Sequence, residues 1–174
     1  MDADRVQRTF LLLVFGIAGL LAALEVTLAP AGGPWAKPDA SWAIPLEEMD
    51  RALGSGNLGA AATSRHRAHL VALGSRSWEG FLAVGDAALR LGDASGDRRS
   101  MEPEARRAFL SALMHARAQR SFDGVLRATE SLARLGDRDL VEQGIRTARD
   151  LAGNDGEAQA RIATLTGLLI GELL

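Results

Sequence analysis

A long, mostly apolar run near the amino terminus, residues 10–29, constrains this chain more than any other feature. No charge occurs from Phe10 to Leu24, and Glu25 is the single ionisable residue before Pro30. A helix that crosses the hydrocarbon core of a bilayer needs about 20 such residues. A carboxylate near the end of the helix reaches the headgroups at modest cost. The run therefore predicts a transmembrane helix over residues 10–29, in contact with lipid.

Positive charges predict the orientation of that helix. Arg5 and Arg8 precede the run, and Lys37 is the first basic residue after it. Because positive residues stay on the cytoplasmic side, residues 1–9 are expected in the cytoplasm and the rest outside it, in a periplasm if the cell is Gram-negative. A cleaved signal peptide and a soluble helix buried in a partner are alternatives. The run is long for a signal peptide, and 27–29 matches a cleavage site poorly.

A spacer is predicted to follow over residues 30–45. It holds four of the five prolines of the chain, together with Trp35 and Trp42. Proline at this density opposes helix formation and favours a semi-extended linker. The two tryptophans have two interpretations: anchors that lie at the membrane interface or pack on the first soluble helix, and a docking peptide for a partner.

The remaining residues, 46–174, are predicted to form an all-α domain. Apolar residues recur at helical spacing between turn signals, and no segment shows the alternation typical of strands. Alanine, leucine, arginine and glutamate dominate, and all four favour helices. Seven helices are predicted, over 46–54, 57–73, 77–91, 103–119, 122–135, 138–152 and 157–173.

Turn signals indicate an internal repeat. The tripeptide Leu-Gly-Asp occurs at 91–93 and again at 135–137, and Gly56 marks a weaker third copy. Spacings of 36 and 44 residues between Gly56, Gly92 and Gly136 lie in the range of helical solenoids. The longer spacing predicts a loop insertion at about 94–102, which delays the second helix of the middle hairpin.

Over residues 46 to about 152 the pattern resembles the tetratricopeptide repeat, a helical hairpin with small residues where helices cross closely. Large aromatics in the first helices and prolines at the repeat ends are missing. The resemblance implies a short α-solenoid of about three hairpins, capped by the last helix, which binds proteins. The residues that match the motif are Gly85, Ala61, Ala68, Val141, Ile145 and Ala148.

The search for chemistry finds no catalytic constellation. The absence of cysteine excludes disulfides and thiol chemistry, and a net charge of -2 gives no general field for nucleic acid. His66 and His69 have a spacing that two metal ligands can share, but Arg65 and Arg67 repel a cation, so an exposed polar face is favoured. We expect no metal, no cofactor, no small-molecule substrate and no enzymatic activity.

Two surfaces are candidates for binding a partner. Arginines cluster around the fourth predicted helix, either as a solvated face or as a basic groove for an acidic protein segment or anionic lipid headgroups. The last helix carries more apolar residues than one packing seam requires. The candidate residues are Arg98, Arg99, Arg106, Arg107, Arg117, Leu169 and Leu173, with Trp35 and Trp42 of the spacer.

These features predict a membrane-anchored, non-enzymatic scaffold or accessory subunit of a bacterial membrane complex, with its helical domain outside the cytoplasm. A structural subunit of a bioenergetic or photosynthetic complex fits equally well. A small envelope hydrolase with an unrecognised site and a soluble cytoplasmic adaptor are the rival classes.

Overall fold

The computed structural model describes residues 40–172, with side chains described as far as residue 167. The described residues belong to one compact unit, Lys37–Leu174. They form helices and no strand, which confirms the predicted all-α class. In order the elements are a 3-10 turn (Ala40–Trp42), α1 (Ala43–Gly54), α2 (Leu58–Ser75), α3 (Trp78–Ser95), α4 (Arg98–Ala118), α5 (Phe122–Ala133), α6 (Arg138–Ala152) and α7 (Gly156–Glu172).

Short polar side chains determine where several helices begin. Each accepts a hydrogen bond, at 3.0–3.3 Å, from a backbone N–H one turn into the helix. A cap of this kind stabilises a helix by about 1 kcal/mol. Asp137 precedes α6 without capping it, because its carboxylate accepts from Arg106 Nε at 2.6 Å instead. The capping residues are Asn57, Ser77, Asp97 and Ser121.

Three hairpin turns are closed by glycines in the left-handed conformation. Gly56, Gly96 and Gly136 have φ of 72°, 72° and 76°, and they follow one another at intervals of 40 residues. Glycine adopts this conformation without the steric penalty that a side chain brings. The middle turn was therefore predicted one helical turn too early, at Gly92.

The predicted loop insertion at 94–102 is wrong for the same reason. Helix α3 continues to Ser95 and α4 begins at Arg98, five residues before its predicted start. Gly92 is buried inside α3, where a Cβ atom would lie 2.8 Å from the Cα of Arg98. The glycine therefore serves the close approach of two helices, and the extra residues lengthen both arms of the hairpin.

The helices pack in sequence order. Each contacts the next, and contacts also join α1 to α3, α3 to α5, α5 to α7 and α4 to α6. The odd-numbered helices thus form one contiguous row beside the even-numbered ones. The side chains buried between the two rows include Met49, Phe81, Phe109, Leu132 and Ile162.

The end of the predicted spacer belongs to this folded unit. Trp42 closes the 3-10 turn, and Pro45 is buried in the first turn of α1, where proline is well tolerated. The spacer prediction is therefore wrong for residues 40–45. The predicted cytoplasmic segment 1–9 and membrane span 10–29 lie outside the described residues. Within 40–172, no helix has the length and apolarity needed to cross a bilayer.

Candidate functional site

Three odd-numbered helices begin on the same short pattern. Serine is followed by an aromatic residue, and a leucine follows four residues after the aromatic one. The pattern starts at Ser41, Ser77 and Ser121, which are 36 and 44 residues apart. Sequence reasoning missed it because the prolines around Trp42 indicated a linker.

The aromatic residues of the first two copies each pack on the next odd-numbered helix. A Cβ atom on Gly80 of α3 would lie 2.9 Å from Cδ1 of Trp42, and one on Gly124 of α5 would lie 2.8 Å from Cδ2 of Trp78. Both glycines occupy the third position of their helix. Glycine is required there because the indole ring fills the space that a side chain would use.

Ion pairs on the exposed side of the odd row also join each odd-numbered helix to the next one. Arg90 of α3 pairs with Asp50 of α1 at 3.2 Å, and Arg134, the residue directly after α5, pairs with Asp86 of α3 at 3.3 Å. The two aspartates are 36 residues apart and the two arginines 44 apart, as the aromatic pattern is. Exposed ion pairs contribute at most about 1 kcal/mol each to the free energy of unfolding. These two pairs therefore add little stability, but they show that successive odd-numbered helices meet at equivalent positions.

A cleft of about 440 Å³ opens between α2 and α4, with α3 beneath it. Its volume is within the range of ligand sites. Val84 and Ala108, which are buried, form part of its floor, and the partly exposed Leu73 lies at its edge. The polar residues that line it are Arg65, His66, His69, Glu104, Arg107 and Ser111.

The cleft is electropositive. Arg65 Nη2 pairs with Glu104 Oε2 at 2.6 Å, which bridges α2 to α4. The Nε atom of Arg65 is buried and has no hydrogen-bond partner in the part of the chain that is described. Arg107 has no ion pair with any described residue, so the two guanidinium groups face a single carboxylate. One net positive charge remains even with both histidines neutral.

His69 joins the cleft to the core. Burial lowers the pKa of His69 below its ordinary value of 6.5, and the charges of Arg65 and His66 lower it further against the opposing effect of Glu104. Its ring lies edge-on to the buried Phe81 at 6.3 Å, and Phe81 stacks on His115 at 4.9 Å. His115 is thus half-buried against the core.

The predicted arginines separate into different environments. Arg98 pairs with Asp93 at 2.7 Å, which raises the pKa of Arg98, and Arg106 pairs with Asp137. Arg99 and Arg117 are exposed and form no ion pair with the residues described. Arg107 alone of the five lines the cleft, where Arg65, His66 and His69 join it from a helix 40 residues away. The packing of α2 and α4 beside α3 brings these residues together. Their positions in the sequence do not reveal this.

The other candidate residues do not join this group. Trp42 is half-buried against α3 and is a packing residue. Leu169 lies on α7, beyond residue 167, the last whose side chain the structure describes. Trp35 and Leu173 lie outside the described residues. A second, shallower groove of about 400 Å³ lies between α5 and α7, with Glu130 and Arg127 among its lining residues.

The described residues contain no group of three or more acidic or histidine side chains arranged to hold a metal ion. No protein-family model, curated protein or solved structure matches this chain.

Proposed function

We propose that this protein is a non-enzymatic scaffold or accessory subunit of a membrane complex, anchored by residues 10–29 and binding protein partners through a short tetratricopeptide-like α-solenoid. The observation that carries the proposal is the recurrence of equivalent contacts along the odd row of helices. Trp42 meets Gly80 as Trp78 meets Gly124, and Asp50 meets Arg90 as Asp86 meets Arg134.

Repeat boundaries at Ser41, Ser77, Ser121 and Asp155 follow from this register. They define units of 36, 44 and 34 residues, followed by α7 as a half-unit. In the middle unit, the turn glycine Gly96 lies 19 positions after Ser77. In the first unit, Gly56 lies only 15 positions after Ser41. The extra four residues are about one helical turn, and the second arm of the middle unit is longer by the same amount. A uniform extension of both arms preserves the hairpin.

A stack of this kind supports a binding role more readily than a catalytic one. Each hairpin buries its apolar face on its neighbours, so the core is quasi-one-dimensional and a large surface remains for partners. The apolar run and the positive charges before it support an anchor with the helical unit outside the cytoplasm. The same features support a structural subunit of a larger membrane complex. Such a subunit would bind its partner permanently.

Native purification from detergent-solubilised membranes of the source cell tests this function. The full chain, tagged at its carboxyl end, is isolated in a mild non-ionic detergent, and copurifying proteins are quantified by mass spectrometry. We expect one or a few membrane or envelope proteins at a fixed molar ratio to the chain. The matched control is a chain that begins at residue 37, which lacks the apolar run. Recovery of the full chain alone, as a monodisperse species, would contradict the scaffold.

A further inference from the structure

We propose that the cleft between α2 and α4 is the partner site of this scaffold, and that it recognises a protein segment in which a carboxylate side chain neighbours an apolar one. This inference rests on the proposed scaffold function and names the chemistry of the partner. It depends on three features of the cleft: its unbalanced charge, its apolar floor and its helical walls.

The charge of the cleft requires an anionic guest. Arg107 and Arg65 approach from opposite walls, and Glu104 pairs with Nη2 of Arg65. A guanidinium carries five N–H donors in a planar fork that suits carboxylates. The Nε atom of Arg65 is buried, so the donors of Arg107, which has no carboxylate partner among the described residues, are the ones open to a guest. A guest carboxylate would supply the second acceptor that the two arginines lack within the described structure.

The apolar end of the cleft defines the rest of the guest. Val84 is 1% exposed and Ala108 3% exposed at the floor, whereas Leu73 is 49% exposed at the edge. An apolar side chain placed there would cover the exposed part of Leu73. Burial of apolar surface stabilises a complex by about 25 cal/mol per Å² removed from water, before the costs of association. The carboxylate and the apolar group must therefore be neighbours on one guest segment.

This geometry favours a protein over a lipid headgroup. Phosphate groups of a bilayer lie in one plane and reach exposed arginines such as Arg99 as readily as Arg107. The cleft instead lies between two helices and combines cationic walls with an apolar floor. A side-chain pair on an extended or helical segment can enter such a space.

His69 makes recognition dependent on pH. The titratable and charged groups that face the cleft are Arg65, His66 and His69 from α2 and Glu104 and Arg107 from α4, and α3 adds only the apolar Val84 to the lining. Protonation of His69 adds positive charge to the cleft. Burial and the neighbouring positive charges lower the pKa of His69, and a bound carboxylate would oppose that effect by favouring the protonated ring, so binding should tighten as the pH falls.

A fluorescent peptide tests the inference. The probe is an octapeptide of alternating glutamate and leucine, and its anisotropy is followed on titration with the full chain in a non-ionic detergent. The same peptide with glutamine in place of glutamate is the control for charge. We expect saturable binding of the glutamate peptide alone, and tighter binding at pH 6 than at pH 7.5, where glutamate, with a pKa of about 4.3, stays ionised.

Two substitutions on α4 form a matched pair. Arg107→Gln removes a guanidinium that lines the cleft, whereas Arg99→Gln removes one from the same helix that does not line it. We expect Arg107→Gln to weaken the glutamate peptide by about tenfold or more, the loss of one charge-assisted hydrogen bond, and Arg99→Gln to leave it unchanged. Circular dichroism of each variant verifies that the helices are intact.

Three outcomes of the peptide titrations would overturn the inference. They are equal binding of the glutamine peptide, equal weakening by the two substitutions, and no saturable binding up to about 1 mM, a free energy of about -4 kcal/mol. Loss of binding to phosphatidylglycerol vesicles in Arg107→Gln, with the peptide unaffected, would assign the cleft to lipid and would also overturn it. If the full chain copurifies with partners while the peptide fails, the cleft is wrong and the scaffold is retained.

Discussion

Replacement of Gly124 by alanine tests the packing of α5 against α3 and α4, on which the proposed repeat register depends. The added Cβ atom would lie 2.7 Å from Cβ of Ala116 and 2.8 Å from Cδ2 of Trp78. Non-bonded carbon atoms prefer separations of about 3.5–4.0 Å. Neither neighbour can yield by rotating a flexible chain, because one atom is fixed to the backbone of α4 and the other belongs to a buried indole ring. Relief therefore requires α5 to shift away from α3 and α4.

The magnitude follows from two opposing effects. Overpacking of a core costs about 1–3 kcal/mol, and two rigid neighbours place this site near the upper end. Alanine gains up to about 1 kcal/mol over glycine in helix propensity. We expect the free energy of unfolding to fall by about 2 kcal/mol, measured by urea denaturation of the full chain in detergent and followed by circular dichroism.

Two further glycines provide an internal scale. A Cβ atom on Gly80 meets Trp42 at 2.9 Å and Ala72 at 3.1 Å, so Gly80→Ala should destabilise by less than Gly124→Ala. Gly74 lies in α2 with no other atom within 4 Å of the added carbon, so Gly74→Ala should raise stability by up to about 1 kcal/mol. If Gly124→Ala is as stable as the wild type, or if Gly74→Ala loses as much, the packing between odd-numbered helices is described wrongly.

Three other substitutions give distinct results. Gly96→Ala should lower the free energy of unfolding in urea by about 1–2 kcal/mol, because φ of 72° strains an L-residue; no loss would contradict the turn. The neutral form of His69 is favoured on folding, so stability should fall as the pH drops below 6.5, and less steeply in His69→Gln; equal slopes in urea titrations across that range would contradict this. Arg134→Ala should cost at most about 1 kcal/mol at low salt, since its pair with Asp86 is exposed; a larger loss in the same assay would give that pair a structural role.

Helix positions could be predicted where apolar periodicity and turn residues agree. The sixth helix was predicted at 138–152 and occupies those residues, because Gly136 closes the preceding turn and a glycine follows at 153. The middle hairpin differs because glycine has two uses. Gly92 permits helices to approach, and Gly96 permits a positive φ. A sequence does not distinguish a glycine that allows close helix packing from one that allows a positive φ. The structure distinguishes them, because only Gly92 lies against a neighbouring helix.

The candidate site was predictable only in part. Clustering along the sequence identified Arg107, but it grouped that residue with Arg98 and Arg106, which point to other partners and are neutralised by Asp93 and Asp137. The opposite wall of the cleft comes from α2, whose side chains at 65–69 read as a polar face. These side chains approach α4 because α2 and α4 both pack on α3. No local sequence pattern specifies the distance between α2 and α4.

Photo-crosslinking within the source cell tests partner binding by the helical unit most directly. A photoreactive amino acid is placed at Ser111, which lines the cleft, and separately at Ser100, an exposed control on the same helix. We predict one discrete adduct between the chain and a second protein from position 111, with none from position 100. The absence of an adduct at 111, or the same adducts from both positions, would contradict a scaffold that binds its partner through this cleft.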